Sequence, residues 1–300
     1  MFKIEDDKDS GYRTLKFGGK VLFRWLRKKA LLKRLDHLSS VVSMMAQAQN
    51  SNLQAKGIMR DIQEVQVKFL NTFSDFAKDN QITYWLDFGT LIGASRSKGF
   101  IPWDDDIDLS VPRKDYSRLQ NLSDRLPEGY YFAFGNAEGL LKLKHKDLPE
   151  VIGLDLFPVD FITKSFSTEE SMVLTKKIFA FQDSQKNKPR AIRKPIIDEF
   201  LHSLGVDYVD DWKQAKMLCY GTEFRHGSHP TILINNEYIF PLSSIEFEGG
   251  NYPCPNQVWA YLTLLYRDYR VANFSRAHHC DVKNFTMNEM LAIGKFLHNN

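Results

Sequence analysis

The chain has 300 residues, 43% of them hydrophobic and 26% charged, values near globular averages that argue against wholesale disorder and against a fibrous class. Forty basic and 37 acidic residues leave a formal net charge of +3, too small to point to nucleic acid as a partner, and the length suits one large domain or a domain with an appended part. Cys219, Cys254 and Cys280 are odd in number, widely spaced and without a C-x-x-C pair, which argues against a disulfide framework and a thiolate zinc site and suits a reducing cytoplasm.

The opening MFKIEDDKDSGY is acidic and lacks an apolar centre, so a secretory signal is not expected. No run approaches the roughly 18 apolar residues of a membrane span, so any membrane contact is expected to be peripheral, at the inner membrane face. From Arg13 to Arg34 there are nine Lys or Arg and no acid, interleaved with Leu15, Phe17, Val21, Leu22, Phe23, Trp25, Leu26, Leu31 and Leu32. This composition predicts a basic amphipathic helix starting near Gly18 and Gly19, lying either on an anionic bilayer or on the protein's own core. Residues 1–60 are accordingly expected to form a helical extension, and 61–300 the catalytic domain.

Ile62, Val65, Phe69, Phe73, Phe76 and Ala77 recur at spacings of three and four, which predicts a helix burying one apolar stripe. ITYWLDFG then reads as a buried strand stopped by Gly89, and TLIGASR as the first turns of a helix. Further strands are expected at Asp106–Val111, Tyr130–Phe134, Leu140–Lys146 and Ile152–Phe157, with a short helix starting near Pro112. Ser167 followed by Glu170 fits a capping box opening a helix to about Gln185, and PNQVWAYLTLLYRDY predicts another helix from Pro255. The expected class is α+β, a mixed sheet flanked by helices, with a mainly helical C-terminal part.

The chemistry concentrates in GFIPWDDDIDLSVPRKDY, where five acids fall within twelve residues. Strand alternation puts Asp106 and Asp108 on one face, and Asp104 joins them if the strand begins early. Adjacent carboxylates repel unless a cation sits between them, and hard oxygen ligands suit Mg²⁺ or Mn²⁺ and phosphate chemistry. An acidic run can also be a solvated loop. A solvated loop does not explain Asp155, which stands alone between Leu154 and Leu156 in an apolar run, where a buried acid needs a partner. Gly89 and Thr90, at a helix start sixteen residues ahead of Asp106, could present backbone N–H groups to a phosphate.

Strand, Gly-Thr, helix, D-x-D strand and a later isolated acid together look like the nucleotidyltransferase superfamily fold. DFGTLIGASRSKGFIPWDDDIDLSVPRKDY resembles, more specifically, the LicD/fukutin family of phosphotransferases, with its Gly-Thr-Leu-hydrophobic-Gly run followed by Ile-Pro-Trp-Asp-x-Asp-x-Asp. GLDLFPVD is similar to the family's Asp-hydrophobic-Phe-Pro stretch, and IEFEGGNYPCPNQVWAYLTLLYRDY weakly to its later Phe-x-Gly and Tyr-rich helix, so the likeness spans about Thr83 to Tyr269.

The resemblance implies metal ligands at Asp106, Asp108 and Asp155, with Asp104 as a supplementary acid, and Asp105 where other residues are tolerated. It implies a CDP-activated donor whose phosphates meet Gly89 and Thr90, with Arg96 placed to neutralise charge or to form an ordinary surface ion pair. Lys142, Lys144 and His145 lie on the strand before Asp155, either pointing into the site or forming a solvated edge. The implied reaction carries a substituted phosphate, most often phosphocholine from CDP-choline, to a hydroxyl of a cell-surface glycan or lipid-linked glycan. Ribitol phosphate, glycerol phosphate, or nucleotidyl transfer from an NTP are the alternatives. A choline cargo would call on aromatic faces, for which Tyr84, Trp85, Trp103, Tyr131 and Phe134 are candidates beside the plain reading of core residues. RAHHCD, with His278, His279 and Cys280, lacks finger spacing for zinc, and a phosphate contact by Arg276 or a histidine suits it better.

Overall fold

A computed structural model describes residues 2–6, 12–18, 20–26, 34, 37–38, 54–135, 140–185, 187–224, 231–270 and 285–298. The chain divides into two compact units, Met1–Leu53 and Gln54–Asn300.

The described part of the first unit is a three-stranded antiparallel sheet in the order β1 (Phe2–Asp6), β2 (Tyr12–Phe17), β3 (Lys20–Leu26). The helix expected from Arg13 is therefore a hairpin over residues 12–26; residues 27–33 of that expectation lie outside the described residues. Gly18 takes φ +54° in the β2–β3 turn, a conformation glycine adopts without penalty. The pair Gly18-Gly19 sits between two runs rich in Thr, Phe, Val and Leu, and this hairpin signal outweighs the looser helical spacing of the apolar residues. Sheet alternation then sorts the side chains. Lys16 Nζ lies 2.6 Å from Glu5 on one face, while Phe2 and Phe17, paired in register, lie with ring centroids 4.8 Å apart and tilted by 42° on the other.

The second unit is built on an eight-stranded mixed sheet. Its centre is β8 (Leu154–Ile162), which pairs in parallel with β5 (Asp108–Pro112) and antiparallel with β7 (Leu141–His145), β9 (Tyr208–Val209) and β10 (Met217–Tyr220). β4 (Trp85–Leu86) extends the β5 side, β6 (Tyr130–Phe134) pairs with β7, and β11 (Leu233–Asn235) with β10. A separate hairpin joins β12 (Ser243–Phe247) to β13 (Gly250–Cys254). The helices are α1 (Ile58–Asp79), α2 (Phe88–Ser97), α3 (Arg113–Leu119), α4 (Thr168–Gln185), α5 (Arg190–Ser203), α6 (Val258–Tyr266) and α7 (Met287–His298). The α+β class is thus observed, with two corrections. Strands β9 to β13 lie in the part expected to be mainly helical, and β5 starts at Asp108, leaving Asp106 in the segment before it. Among the described residues no helix is long and apolar enough to cross a membrane.

α1 shows why the site is held firmly. Its stripe of Ile62, Val65, Phe69, Phe73, Phe76 and Ala77 is buried, each phenylalanine contributing about 1.5–3 kcal/mol of apolar transfer. Within this stripe stand two polar residues that the apolar pattern does not explain, Gln63 and Gln66, both 1% exposed. Gln63 Nε2 donates to the Asp104 carbonyl at 2.8 Å, and Gln66 Nε2 to the carbonyls of Asp105 at 3.1 Å and Gly153 at 3.2 Å. One helix face thereby anchors both the acidic loop and the lead-in to β8. At the far end of the helix Asn80 Nδ2 closes the last turn on the Phe76 carbonyl at 2.8 Å. The capping box is present as expected, with Glu170 Oε2 accepting from Ser167 N and Ser167 Oγ from Glu170 N.

Candidate active site

Strand register assembles the site. Asp108 on β5 is the parallel partner of Asp155 on β8, and Asp155 is the antiparallel partner of Lys142 on β7, so three neighbouring strands place these residues in one row on one face. Asp106, two residues before β5, completes a group in which carboxylate oxygens of Asp106, Asp108 and Asp155 all lie within 4.8 Å of one another. A second group at the same spacing joins Asp106 to Asp104 and Asp105. Asp105, which the family pattern tolerates as other residues, is 1% exposed here and part of that second group.

Negative charge is concentrated in this arrangement. Burial first, and then the negative charges of Asp106, Asp155, Asp104 and Asp87, raise the proton affinity of Asp108 well above the ordinary carboxylate range. Lys142 Nζ stands 2.6 Å from Asp155 Oδ1. Burial alone would lower the Lys142 pKa, but Asp155, Asp106 and Asp108 outweigh it and raise it. Clustered hard oxygen donors are the donor set a divalent cation fits.

The start of α2 packs on this centre. The Asp108 N–H donates to Thr90 Oγ1 at 2.9 Å, and the Gly89 N–H to Asp108 Oδ2 at 3.3 Å. Thr90 is 1% exposed, so its hydroxyl fixes β5 against α2. A Cβ at Gly89 would come within 2.7 Å of Asp104 Oδ2. Gly89→Ala should therefore keep the fold, since alanine favours a helix by about 1 kcal/mol over glycine, while displacing the Asp104 carboxylate. Thermal melting unchanged or raised, together with a loss of the phosphotransferase activity that the resemblance implies, is the expected pair of results.

The remaining expected site residues separate. Lys144 shares the Lys142 face but is 2% exposed and engaged by the carbonyl and carboxylate of Glu150. His145 points to the other face, its ring 4.8 Å from those of Tyr130 and Phe296, and burial lowers its pKa. Arg96 is exposed in the last turn of α2, about 10 Å along the helix from Gly89 at 1.5 Å per residue. Trp103 is half-buried in the acidic loop. Tyr84 and Trp85 belong to the core, as does the Phe134 face of β6, whereas Tyr131, the register partner of Lys144, shares the face of the site. His278, His279 and Cys280 lie outside the described residues.

Sequence reasoning missed two groups. Asp87, fully buried, accepts from Phe88 N at 2.7 Å, Tyr261 Oη at 2.6 Å, Tyr220 Oη at 2.5 Å, Ser110 Oγ at 2.5 Å and Trp85 Nε1 at 3.2 Å. Burial raises its pKa against the lowering effect of those bonds. It ties β4, β5, β10 and α6 together behind Asp108, and the signal for it was the same as for Asp155, a lone acid in an apolar run. Arg113 forms the second group, donating to Asp160 at 2.8 Å through both Nε and Nη2, and to Glu223 at 2.6 and 3.0 Å.

Residues 81–194 match the LicD/FKTN/FKRP nucleotidyltransferase domain family, so the resemblance read from DFGTLIGASRSKGFIPWDDDIDLSV holds over that segment. The chain is 48% identical over 64 residues to the lipopolysaccharide cholinephosphotransferase LicD of Haemophilus influenzae, covering 21% of this chain and 24% of that protein. It is 29% identical over 106 residues to an uncharacterized protein of Rickettsia prowazekii, covering 33% and 40% of the two chains. Mannosyltransferase regulator 4 of Saccharomyces cerevisiae is 41% identical over 69 residues, covering 22% of this chain and 6% of the yeast protein. The matched stretches thus span less than half of each of these relatives.

Proposed function

We propose that the LicD-type domain at residues 81–194 is the centre of a metal-dependent phosphotransferase that moves a substituted phosphate, phosphocholine from CDP-choline in the first instance, to a hydroxyl of a cell-surface glycan. The observation that carries this reading is the convergence of Asp106, Asp108 and Asp155 from separate segments. The match to a lipopolysaccharide cholinephosphotransferase supports the phosphocholine cargo, and the match to a mannosyltransferase regulator supports the glycan setting.

Asp106, Asp108 and Asp155 would hold Mg²⁺ or Mn²⁺, with Asp104 beside them. The ion would supply charge neutralisation on a diphosphate. The rest falls to the chain's own groups. Lys142 donates to phosphate oxygen, Asp155 accepts the proton of the incoming hydroxyl, and the Asp87 hydrogen bonds hold β5 and α2 so that Asp108 keeps its orientation.

Incubation of the full chain and Mg²⁺ with CDP-choline and a glycan acceptor should release CMP and add about 165 Da of phosphocholine to the acceptor, a mass set by the chemistry of the cargo. CMP release with CDP-ribitol or CDP-glycerol alone would reassign the cargo. Pyrophosphate release from an NTP, with none of these donors used, would overturn the reading in favour of nucleotidyl transfer.

A further inference from the structure

The pair Lys142–Asp155 places an ammonium where the proposed function needs a cation ligand. The contact is specified by the fold, because the two residues are register partners on β7 and β8 and the separation is 2.6 Å. The lysine stem runs past two glycines. A Cβ at Gly135 would lie 3.0 Å from Lys142 Cε and 3.4 Å from Cδ, and one at Gly153 would lie 3.4 Å from Lys142 Cβ. A larger side chain at Gly135 would crowd the stem. The Lys142 side chain is 23% exposed and Asp155 13%, so the lysine is the more open partner and the carboxylate the more enclosed one. Lys144, two residues on, has no such freedom, being 2% exposed and held by Glu150.

An ammonium and a divalent cation on one carboxylate repel each other, and a flexible four-carbon stem lets the ammonium yield. We propose that Lys142 is an exchangeable counter-ion: it occupies Asp155 when the carboxylate centre holds no divalent cation, and moves to a phosphate oxygen of the donor when the cation is bound. The inference rests on the phosphotransferase reading above and adds a competition between lysine and metal for Asp155. No bond is made or broken in the exchange; one ion pair replaces another.

Mn²⁺ titration of the full chain without nucleotide, read by electron paramagnetic resonance, tests the first half. Lys142→Met should bind Mn²⁺ about ten-fold more tightly than the wild type, because a competing charge is gone. Lys142→Arg, which keeps the charge, should remain near the wild type. At saturating Mn²⁺ the Met variant should bind CDP-choline about ten-fold more weakly, the second half of the exchange. A lysine that serves only packing predicts Mn²⁺ affinity unchanged or weakened in Lys142→Met, and that result overturns the inference while leaving the function standing. Should that variant fail to fold, the wild type decides: acylation of Lys142 by an amine-directed reagent, followed by mass spectrometry, should rise on adding Mn²⁺ alone, and unchanged labelling overturns the inference. A wild type that binds no Mn²⁺ at all overturns both the inference and the metal-dependent reading.

Discussion

Asp108→Asn is expected to abolish transfer and yet to leave the metal-free protein at least as stable as the wild type. Asp108 is the residue on which the repulsion of the centre converges, with Asp106, Asp155, Asp104 and Asp87 all acting on a buried carboxylate. Replacing it with a neutral isostere removes that repulsion. The backbone contact to Thr90 is untouched, and the amide oxygen can still accept from the Gly89 N–H. The effect on turnover should exceed the 10–100-fold that loss of an outer partner of a metal ligand typically causes, since the proposed function makes Asp108 a direct ligand.

The pH dependence of stability carries the same signature. The folded-state pKa of Asp108 is raised above its ordinary value of 3.8, so the folded protein binds this proton more tightly than the unfolded chain. Its contribution to stability is complete below the unfolded-state value and is lost as pH rises through the folded one. The stability gap between Asp108→Asn and the wild type should therefore widen as pH rises above about 3.9. Denaturant unfolding of both proteins across that range, with chelator present, checks it. A variant destabilised at neutral pH, or one that still turns over, would remove Asp108 from the proposed role.

Arg113→Met is expected to produce the opposite pattern, with a large loss of stability whose origin lies outside the carboxylate centre. The guanidinium makes paired bonds to both Asp160, 4% exposed, and Glu223, 7% exposed. Burial alone would lower its pKa, but the two carboxylates raise it. Without it two enclosed carboxylates face each other, with Lys194 Nζ 4.0 Å from Asp160 as a distant substitute. Stranding buried charges in this way costs about 3–5 kcal/mol, which for a unit of this size lowers the melting temperature by about 10 °C. Arg113→Lys should recover part of the loss, because one ammonium cannot supply two paired contacts. The triple replacement of Arg113, Asp160 and Glu223 by apolar residues should recover more than the lysine variant does. Calorimetry on the three proteins separates these outcomes, and a wild-type melting temperature for Arg113→Met would show that the network contributes nothing net.

Local pattern made much of the second unit legible. The three-and-four spacing of Ile62 to Ala77 identified α1, the alternation over Leu140–Lys146 identified β7 at Leu141–His145, and Ser167 with Glu170 identified the start of α4. These features depend on residues within a turn or two of one another. The N-terminal hairpin was misread for a related reason: apolar residues at mixed spacing satisfy a helical stripe and two short strands alike, and the choice between them lies in pairing across Gly18.

By itself the sequence singled out the residues to which the proposed function gives chemistry. Asp106 and Asp108 beside Trp103, the isolated Asp155, and Gly89 with Thr90 form a vocabulary for phosphate and metal that composition and spacing expose directly. Only the tertiary structure decided how they are used. The parallel register of β5 and β8 puts Asp108 beside Asp155, and the antiparallel register of β7 and β8 gives Asp155 to Lys142 and turns His145 to the opposite face. Gln63 and Gln66 are assigned to the acidic loop by the packing of α1, and Asp87 becomes a hub because Tyr220 and Tyr261 arrive from segments more than 130 residues away. The physical reason is that side-chain type is a property of each position, whereas strand register and helix docking are set by the burial of the whole core. A one-residue slip of β7 would have delivered Leu141 or Leu143 to Asp155 and left the carboxylates without their ammonium.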